Sequence, residues 1–412
     1  MSRNRVVATG MGWCTPLGCD VQTVWKSLLA GQSGIDLIRG FDTSRHDVKF
    51  GGEVRDFDIT QHVEPREANR MDRFAQLALA SSVAAVRDAG IDFDHCDRSR
   101  IGVIVGSGIG GLIELEEQHK RLFEKGPARV SAFFIPKLMM NAAAGHISMR
   151  FGLHGPNFAT ASACSSSNHA MGIALRLLQW GECDVVLCGG AEATVNSSGV
   201  AAFNALKALS TRNSDPKGAS RPFDKERDGF VLSEGAGILV LENRDHALER
   251  GARIHAEVLG FAMTGDAHHI TAPDPGAEQC AASMRNSVKD AGLAPEQIGY
   301  INAHGTSTQL NDAIETRAIR KVFGAHADKL VVNSTKSMLG HSLGAAGAVE
   351  LIVTILSVQS DWVHPTINYR TPDPECDLDY VPNEMRRVAM SHALSNSLGF
   401  GGHNTTIVVG KA

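Results

Sequence analysis

One stretch of this sequence occurs twice, and that repeat limits the chain to few architectures. Ala80-Ser-Ser-Val-Ala-Ala-Val-Arg-Asp-Ala-Gly-Ile91 returns as Ala282-Ser-Met-Arg-Asn-Ser-Val-Lys-Asp-Ala-Gly-Leu293. Each copy leads to an Ile-Gly that opens a strand, Ile101-Gly-Val-Ile-Val105 and Ile298-Gly-Tyr-Ile-Asn302. A strand also begins each half, at Val6 and at Ala256, and a helix of small residues follows later, from Cys164 and from His341. Repetition of a mixed helix and strand unit predicts two similar α/β halves, 1–251 and 252–412. No Pro- or Ser-rich linker parts them, so they are expected to pack as one body with the functional site where they meet.

After Cys164, residues Ala170, Ile173, Ala174, Leu177 and Leu178 recur at helical spacing, and Met171 and Leu175 widen the apolar stripe. That helix is expected to be largely buried. Asp184-Val-Val-Leu-Cys-Gly-Gly190 reads as a central strand in a covered sheet. Leu343 to Leu356 is apolar apart from Glu350 and Thr354, so each half contributes one buried helix and the expected packing is a layered αβαβα sandwich. By contrast, Leu112 to Arg129 reads as a solvated surface helix, with Glu116/Lys120 and Glu117/Arg121 at i, i+4.

Several functions are disfavoured by composition. Forty Lys plus Arg against 45 Asp plus Glu leaves a formal charge of −5, without the basic surplus that neutralises nucleic-acid phosphates. The apolar run Ile101 to Ile113 carries five glycines and is shorter than the roughly 18 residues of a membrane span. No transmembrane helix is expected. Arg3 and Arg5 ahead of Val6-Val7 imitate a signal peptide, yet Gly10, Gly12, Trp13 and Pro16 make a poor apolar helix, and the segment reads as a buried first strand. Eight cysteines lie scattered, with no C-x-x-C and no zinc spacing, which suits free thiols in a reducing cytoplasm.

Four positions carry the chemistry. Cys164, in Ala159-Thr-Ala-Ser-Ala-Cys164-Ser-Ser-Ser-Asn168, precedes a helix whose unpaired amides favour an anion, so its pKa is expected below the usual 8.5 or so. His304 stands in Asn302-Ala-His304-Gly-Thr306-Ser-Thr308 at the C-terminal end of a strand, where α/β sheets collect ligands. Lys336 and His341 share Asn333-Ser-Thr-Lys336-Ser-Met-Leu-Gly-His341. Singly, each has a structural explanation, a small core residue for the cysteine and a hydrogen-bonded support for each histidine. Their common placement on glycine-rich loops is what singles them out. Gly106-Ser-Gly-Ile-Gly-Gly111 matches the dinucleotide-binding G-x-G-x-x-G after a strand, but no second strand ending in an acid follows about 20 residues on.

Taken with Val7-Ala-Thr-Gly-Met-Gly12, Gly189-Gly-Ala-Glu192, Arg221-Pro-Phe-Asp224, Asp228-Gly-Phe230, Ser233-Glu-Gly-Ala-Gly237 and Gly399-Phe-Gly-Gly402, these motifs resemble the β-ketoacyl-acyl-carrier-protein synthases of the thiolase fold, nearly end to end. The likeness is greatest to the type II enzymes of dissociated fatty-acid synthesis. The resemblance implies a five-layered thiolase-like fold and a decarboxylating condensation of acyl and malonyl carrier-protein thioesters in a cytoplasmic homodimer. It implies a Cys164-His304-His341 triad, an oxyanion hole from the backbone N–H groups of Cys164 and Phe400, and Lys336 as a supporting lysine paired with Glu350.

By the same resemblance Thr306 and Thr308 would bind phosphopantetheine. Phe400 would act as a gate flanked by Gly399, Gly401 and Gly402, and Ile109 would border the acyl channel. Arg66, Arg70 and Lys207 would meet the acidic carrier protein, although Asn69 stands where relatives often carry a base. Leu398 likewise replaces the usual phenylalanine, and Ser162-Ala163 the usual Thr-Ala. No cofactor is expected beyond the carrier's phosphopantetheine, and Asn302, Glu350, Ser395 and Asn396 match a monovalent-cation site. Dimerisation is expected through the strand Asp184 to Gly190. Three alternatives remain at this point: a condensing subunit of a specialised polyketide or lipid pathway, a non-catalytic chain-length partner, and a nicotinamide oxidoreductase resting on Gly106 to Gly111.

Overall fold

The computed structural model describes residues 3–412. Ten strands carry the fold: β1 (Val6–Cys14), β2 (Ile101–Gly106), β3 (Asn157–Thr160), β4 (Val185–Glu192), β5 (Gly235–Asn243), β6 (Ala256–Gly265), β7 (Ile298–Asn302), β8 (Val331–Asn333), β9 (His392–Gly399) and β10 (His403–Gly410). They hydrogen-bond in the order β8-β7-β9-β10-β6-β1-β5-β4-β2-β3. From the middle outward this order says the same thing twice. On each side two antiparallel pairings (β1/β5/β4 and β6/β10/β9) are followed by two parallel ones (β4/β2/β3 and β9/β7/β8). The two five-stranded halves of the sheet are paired through Val7–Glu257 and Ala8–Ala256.

Alternation along the strands sorts side chains into three cores, which define five layers. Val186, Cys188, Leu239, Leu241, Tyr300 and Ile407 face helices α3 (Ser166–Trp180) and α6 (Ala346–Ser360) between the sheets. Their neighbours Val185, Leu187, Ile238 and Val240 face outward onto α1 (Arg73–Ala89). Ile301, Leu394 and Val408 face α4 (Glu278–Asp290) and α5 (Gln309–Phe323) on the far side. The repeated segments are the outer helices α1 and α4, and each is pressed onto the first strand of its half through a glycine. A Cβ at Gly10 would lie 2.2 Å from Ala85 O, and one at Gly260 would lie 2.4 Å from Ser287 O, the equivalent position of the repeat.

Three expectations need correction. The strand Asp184 to Gly190 is not a sheet edge, because β4 is paired on both sides by β2 and β5; the free edge is β3, whose residues are half-exposed or exposed. The segment from Leu112 forms α2 (Leu112–Lys125) and a separate turn over Pro127–Arg129. It is also more than a solvated face. Glu114 and Gln118 are buried, Glu114 pairs with Lys137, and Glu116 turns away from Lys120 to accept from Asn196 Nδ2 at 2.9 Å and Ser198 N–H at 2.8 Å. The second buried helix begins at Ala346 rather than at His341, after a single turn over Leu343–Ala345. Leu343–Ser360 is long and apolar enough to cross a membrane, but 89% of it is buried in the middle layer, so it does not overturn the expectation of no transmembrane helix. Glu350 hides this length in the sequence and marks the helix as a core element.

Candidate active site

Cys164 sits in the turn between β3 and α3, reached through Ala163 in a left-handed conformation at φ 50°. It lies 7% exposed at the floor of a cavity of about 530 Å³. His304 and the Lys336–His341 segment leave the C-terminal ends of the adjacent parallel strands β7 and β8, whose register pairs Asn302 with Asn333. The first half thus supplies the thiol and the second half both imidazoles. His341 Nε2 lies 3.1 Å from Cys164 Sγ, the two imidazole rings cross at 82° with centroids 5.2 Å apart, and the ligating atoms of all three residues fall within 4.8 Å of one another.

Hydrogen bonds fix both histidine tautomers. The N–H of Leu343 donates to His341 Nδ1 at 3.3 Å, so the ring proton resides on Nε2, facing Cys164. Lys336 Nζ lies 3.3 Å from His304 Nδ1 while donating to the His304 carbonyl at 2.7 Å, which leaves the His304 proton on Nε2 too. A metal would need those Nε2 lone pairs free, so this arrangement presents two N–H donors in place of a ligand set. Burial, then the Lys336 charge, holds both imidazoles well below the usual histidine pKa, with His341 adding to the effect on His304. Both are therefore neutral donors at neutral pH.

The Cys164 thiol departs from expectation in the opposite sense. Burial pushes it up to about 12, against the lowering effect of Lys336 and of the N–H groups of Phe400 and Cys164 itself. Desolvation by residues from both halves outweighs the helix terminus. Those two amides lie close enough to Sγ to favour its anion.

Behind the cavity, Lys336 Nζ donates to Glu350 Oε1 at 2.5 Å, and burial lifts the Glu350 carboxyl to about 7 in spite of that ammonium. Asn302 Oδ1, Glu350 Oε2 and Ser395 Oγ are buried without a hydrogen-bond partner. Three hard oxygens, one of them anionic, fit a monovalent cation. Asn396 does not bring its side chain there. It follows Ser395 on β9 and therefore faces the other side of the sheet, where its Nδ2 donates to Glu315 at 3.1 Å and its Oδ1 accepts from Thr406 at 2.9 Å.

Of the remaining positions, Ile109, Thr306, Thr308, Lys207 and Phe400 line the cavity, and the Thr306 and Thr308 hydroxyls are 2.9 Å apart. Gly401 lies outside it, its N–H donating to Ile270 O at 2.7 Å in the turn at φ 87°. Arg66 and Arg70 are exposed away from the cavity, with Arg70 stacked 5.0 Å over Phe133. The roles of three buried carboxylates escaped the sequence reading. Glu315 accepts the N–H groups of His304 and Gly305, each at 2.8 Å, and Asp312 accepts those of Thr306 and Ser307 at 3.0 and 3.2 Å. Their spacing, two acids three apart just after the Thr308 cap of α5, is the signal available in the sequence. The third, Glu192, accepts from Ser107 Oγ and from the N–H groups of Gly108 and Ile109. It thus occupies the very amides a pyrophosphate would require, which removes the dinucleotide reading of Gly106 to Gly111.

The Beta-ketoacyl synthase N-terminal domain matches residues 3–247, and its C-terminal counterpart matches residues 255–370. The chain belongs to the β-ketoacyl synthase family. It is 49% identical over 411 residues to the 3-oxoacyl-[acyl-carrier-protein] synthase 2 of Synechocystis sp., covering 100% of this chain and 99% of that one. With the synthase 2 of Staphylococcus aureus it shares 48% identity at the same coverage. Among solved structures, a type II polyketide ketosynthase captured with its acyl-carrier protein and bound to the hexaketide superposes with a TM-score of 0.93 at 34% identity, covering 100% of both chains. A β-ketoacyl synthase from Burkholderia phymatum does so with a TM-score of 0.93 at 35% identity, covering 99% of this chain and 100% of that one. The fold is accordingly the five-layered thiolase type.

The depressed histidines make stability depend on pH in a defined direction. A group whose folded pKa is lowered contributes stability above its unfolded value, and that stability is lost as pH falls. Below about pH 6.5, urea denaturation should therefore show a loss near 1.4 kcal/mol per pH unit for each of His304 and His341. The double variant His304→Asn/His341→Asn should lack this part of the slope; an identical slope would mean the imidazoles are not held neutral.

Proposed function

We propose that the chain condenses an acyl thioester with a malonyl thioester, both on acyl carrier protein, releasing CO2 and giving a 3-oxoacyl thioester through an acyl-Cys164 intermediate. The observation that carries this reading is the pair of Nε2–H donors aimed, with Cys164, into one cavity. In the first half-reaction Cys164 Sγ attacks the acyl carbonyl, and the oxyanion is held by the N–H groups of Cys164 and Phe400. The pantetheine sulfur leaves with the thiol proton. The malonyl group then loses CO2, its developing enolate oxygen accepts from His304 and His341 Nε2–H, and the carbanion attacks the acyl-Cys164 carbonyl, expelling the cysteine sulfur. Each such donor contributes roughly 10²–10³ in rate.

Thr306 and Thr308 suit the phosphopantetheine amides, and Arg66, Arg70 and Lys207 suit an acidic carrier. Similarity near 48% to 3-oxoacyl synthases, against 34% to a polyketide ketosynthase, favours elongation of plain acyl chains. A non-catalytic chain-length partner has no need of the complete triad present here. We assign the nucleophile to a half spanning 1–251 and the histidines to a half spanning 252–412, acting in a reducing cytoplasm that suits eight unpaired thiols. Asn302, Glu350 and Ser395 would hold a monovalent cation, which when bound would offset the Glu350 charge. Mass spectrometry of Cys164 after incubation with a ladder of acyl carrier proteins, followed by detection of the 3-oxoacyl product with malonyl carrier, tests the reading. An enzyme that never acquires acyl mass on Cys164 would overturn it.

We further infer a homodimer through the free edge of β3 beside the exposed side chains of Phe133, Ile135 and Met139. Light scattering should return twice the 43.9 kDa chain mass at micromolar concentration.

Ile109 sets the acyl length. It is 36% exposed and lines the cavity, so it fills no closed core. Being β-branched, it has few rotamers by which to make way for a long chain. Ile109→Phe should block medium and long acyl groups while leaving short ones able to acylate Cys164, read as acylation rates across the ladder. Ile109→Ala should keep long chains and cost less than the roughly 2–5 kcal/mol of a fully packed isoleucine.

A further inference from the structure

Glu192 ends β4 beneath the cavity, fully buried, and its carboxylate joins two loops that the condensation uses separately. Oε1 accepts from Ser107 Oγ at 2.9 Å and from Ile109 N–H at 3.2 Å, and Oε2 accepts from Gly108 N–H at 2.7 Å and from Gly344 N–H at 3.1 Å. The first three donors belong to the loop that carries Ile109. The fourth lies three residues beyond His341, next to Leu343, whose own N–H fixes the His341 tautomer. The loops are in direct contact. A Cβ at Gly344 would lie 2.4 Å from Gly108 N and 2.7 Å from Glu192 Oε2, and one at Gly108 would lie 2.9 Å from that same oxygen. Among the described residues no cationic side chain forms an ion pair with Glu192, so these four donors are what compensate its burial.

We propose that Glu192 is a positioning residue that couples occupancy of the acyl channel at Ile109 to the placement of His341. This rests on the condensing reading above. An acyl chain that displaces Ile109 moves the N–H groups of Gly108 and Ile109, and the carboxylate that follows them pulls on Gly344. Leu343 and the His341 ring it steers move with Gly344. Decarboxylation of the malonyl group therefore responds to what Cys164 carries, and the enzyme favours CO2 release once a chain is in place to receive the carbanion.

The test loads Cys164 with acetyl, octanoyl or myristoyl groups and follows CO2 release from malonyl carrier protein in a single turnover. In the natural chain the rate should rise about fivefold or more from acetyl to the chains that reach Ile109, the lower end of ordinary coupling between sites. Glu192→Gln should flatten that dependence to less than about twofold. Ser107→Ala, which removes the one side-chain donor to Glu192 together with the acceptor of the Gly110 N–H and leaves the three backbone donors, should flatten it in part and serves if the first variant fails to fold. A purely structural carboxylate would slow release by the same factor for every acyl group. That outcome, or a natural chain indifferent to acyl length, overturns the coupling. A natural chain that acylates Cys164 yet releases no CO2 with any acyl group overturns the condensing reading itself.

Discussion

Cys164→Ala should abolish condensation outright, while CO2 release from malonyl carrier protein should continue. The variant removes the one atom that accepts the acyl chain, so no intermediate forms and the loss is complete. It leaves untouched the groups that stabilise the enolate. Leu343 still holds the His341 proton on Nε2, and Lys336 still holds that of His304. His341→Ala should give the reverse pattern. Cys164 stays next to the donor amides of its own backbone and of Phe400 and still takes up acyl groups, whereas CO2 release falls by roughly 10²–10³, the effect of losing one preorganised donor. If the two imidazoles hold the same oxygen, as proposed, His304→Ala/His341→Ala should cost less than the product of the single losses. Acyl uptake by mass spectrometry and labelled CO2 release, measured on the same preparations, separate the two halves. Normal CO2 release from His341→Ala would show that the enolate lies elsewhere.

How far the sequence revealed this site depends on which residues act locally. The repeated helices announce the duplicated fold because a Gly10 or Gly260 contact with a helix backbone demands small residues at fixed positions on both partners. Cys164, His304, Lys336 and His341 stand out because glycines and hydroxyls surround them on loops. The Cys164 pKa was not legible. A helix terminus is visible in sequence, but the desolvation that overrides it comes from residues of both halves that only the fold brings together. Strand order was equally hidden, since the apolar character of Val185–Glu192 reports burial on both faces and says nothing of which strand is left at the edge. Glu192, Asp312 and Glu315 look like ordinary acids in the sequence. Only the fold shows that backbone amides of residues 108–109, 304–307 and 344 converge on them. Asn396 shows the limit of matching residue types, because a strand's period of two sends it to the face opposite Ser395.

Lys336→Met should lower both stability and decarboxylation, and a second substitution separates the two losses. Removing the ammonium leaves Glu350 buried at the centre of the molecule with no cation beside it, a change that costs about 3–5 kcal/mol when one member of a buried pair is lost. Part of that cost is avoided by protonation, since burial has already brought the Glu350 carboxyl to about 7. Catalysis fails for a different reason. With no donor at His304 Nδ1, the ring proton can reside on either nitrogen, and the tautomer with bare Nε2 turns a lone pair toward the enolate. Lys336→Met/Glu350→Gln removes both charges together and should recover most of the lost stability in urea denaturation, in buffer free of potassium and sodium. CO2 release should remain depressed, because His304 still lacks its donor. If the double variant regains CO2 release along with stability, Lys336 serves only to neutralise Glu350, and the His304 proton is held by something other than the lysine.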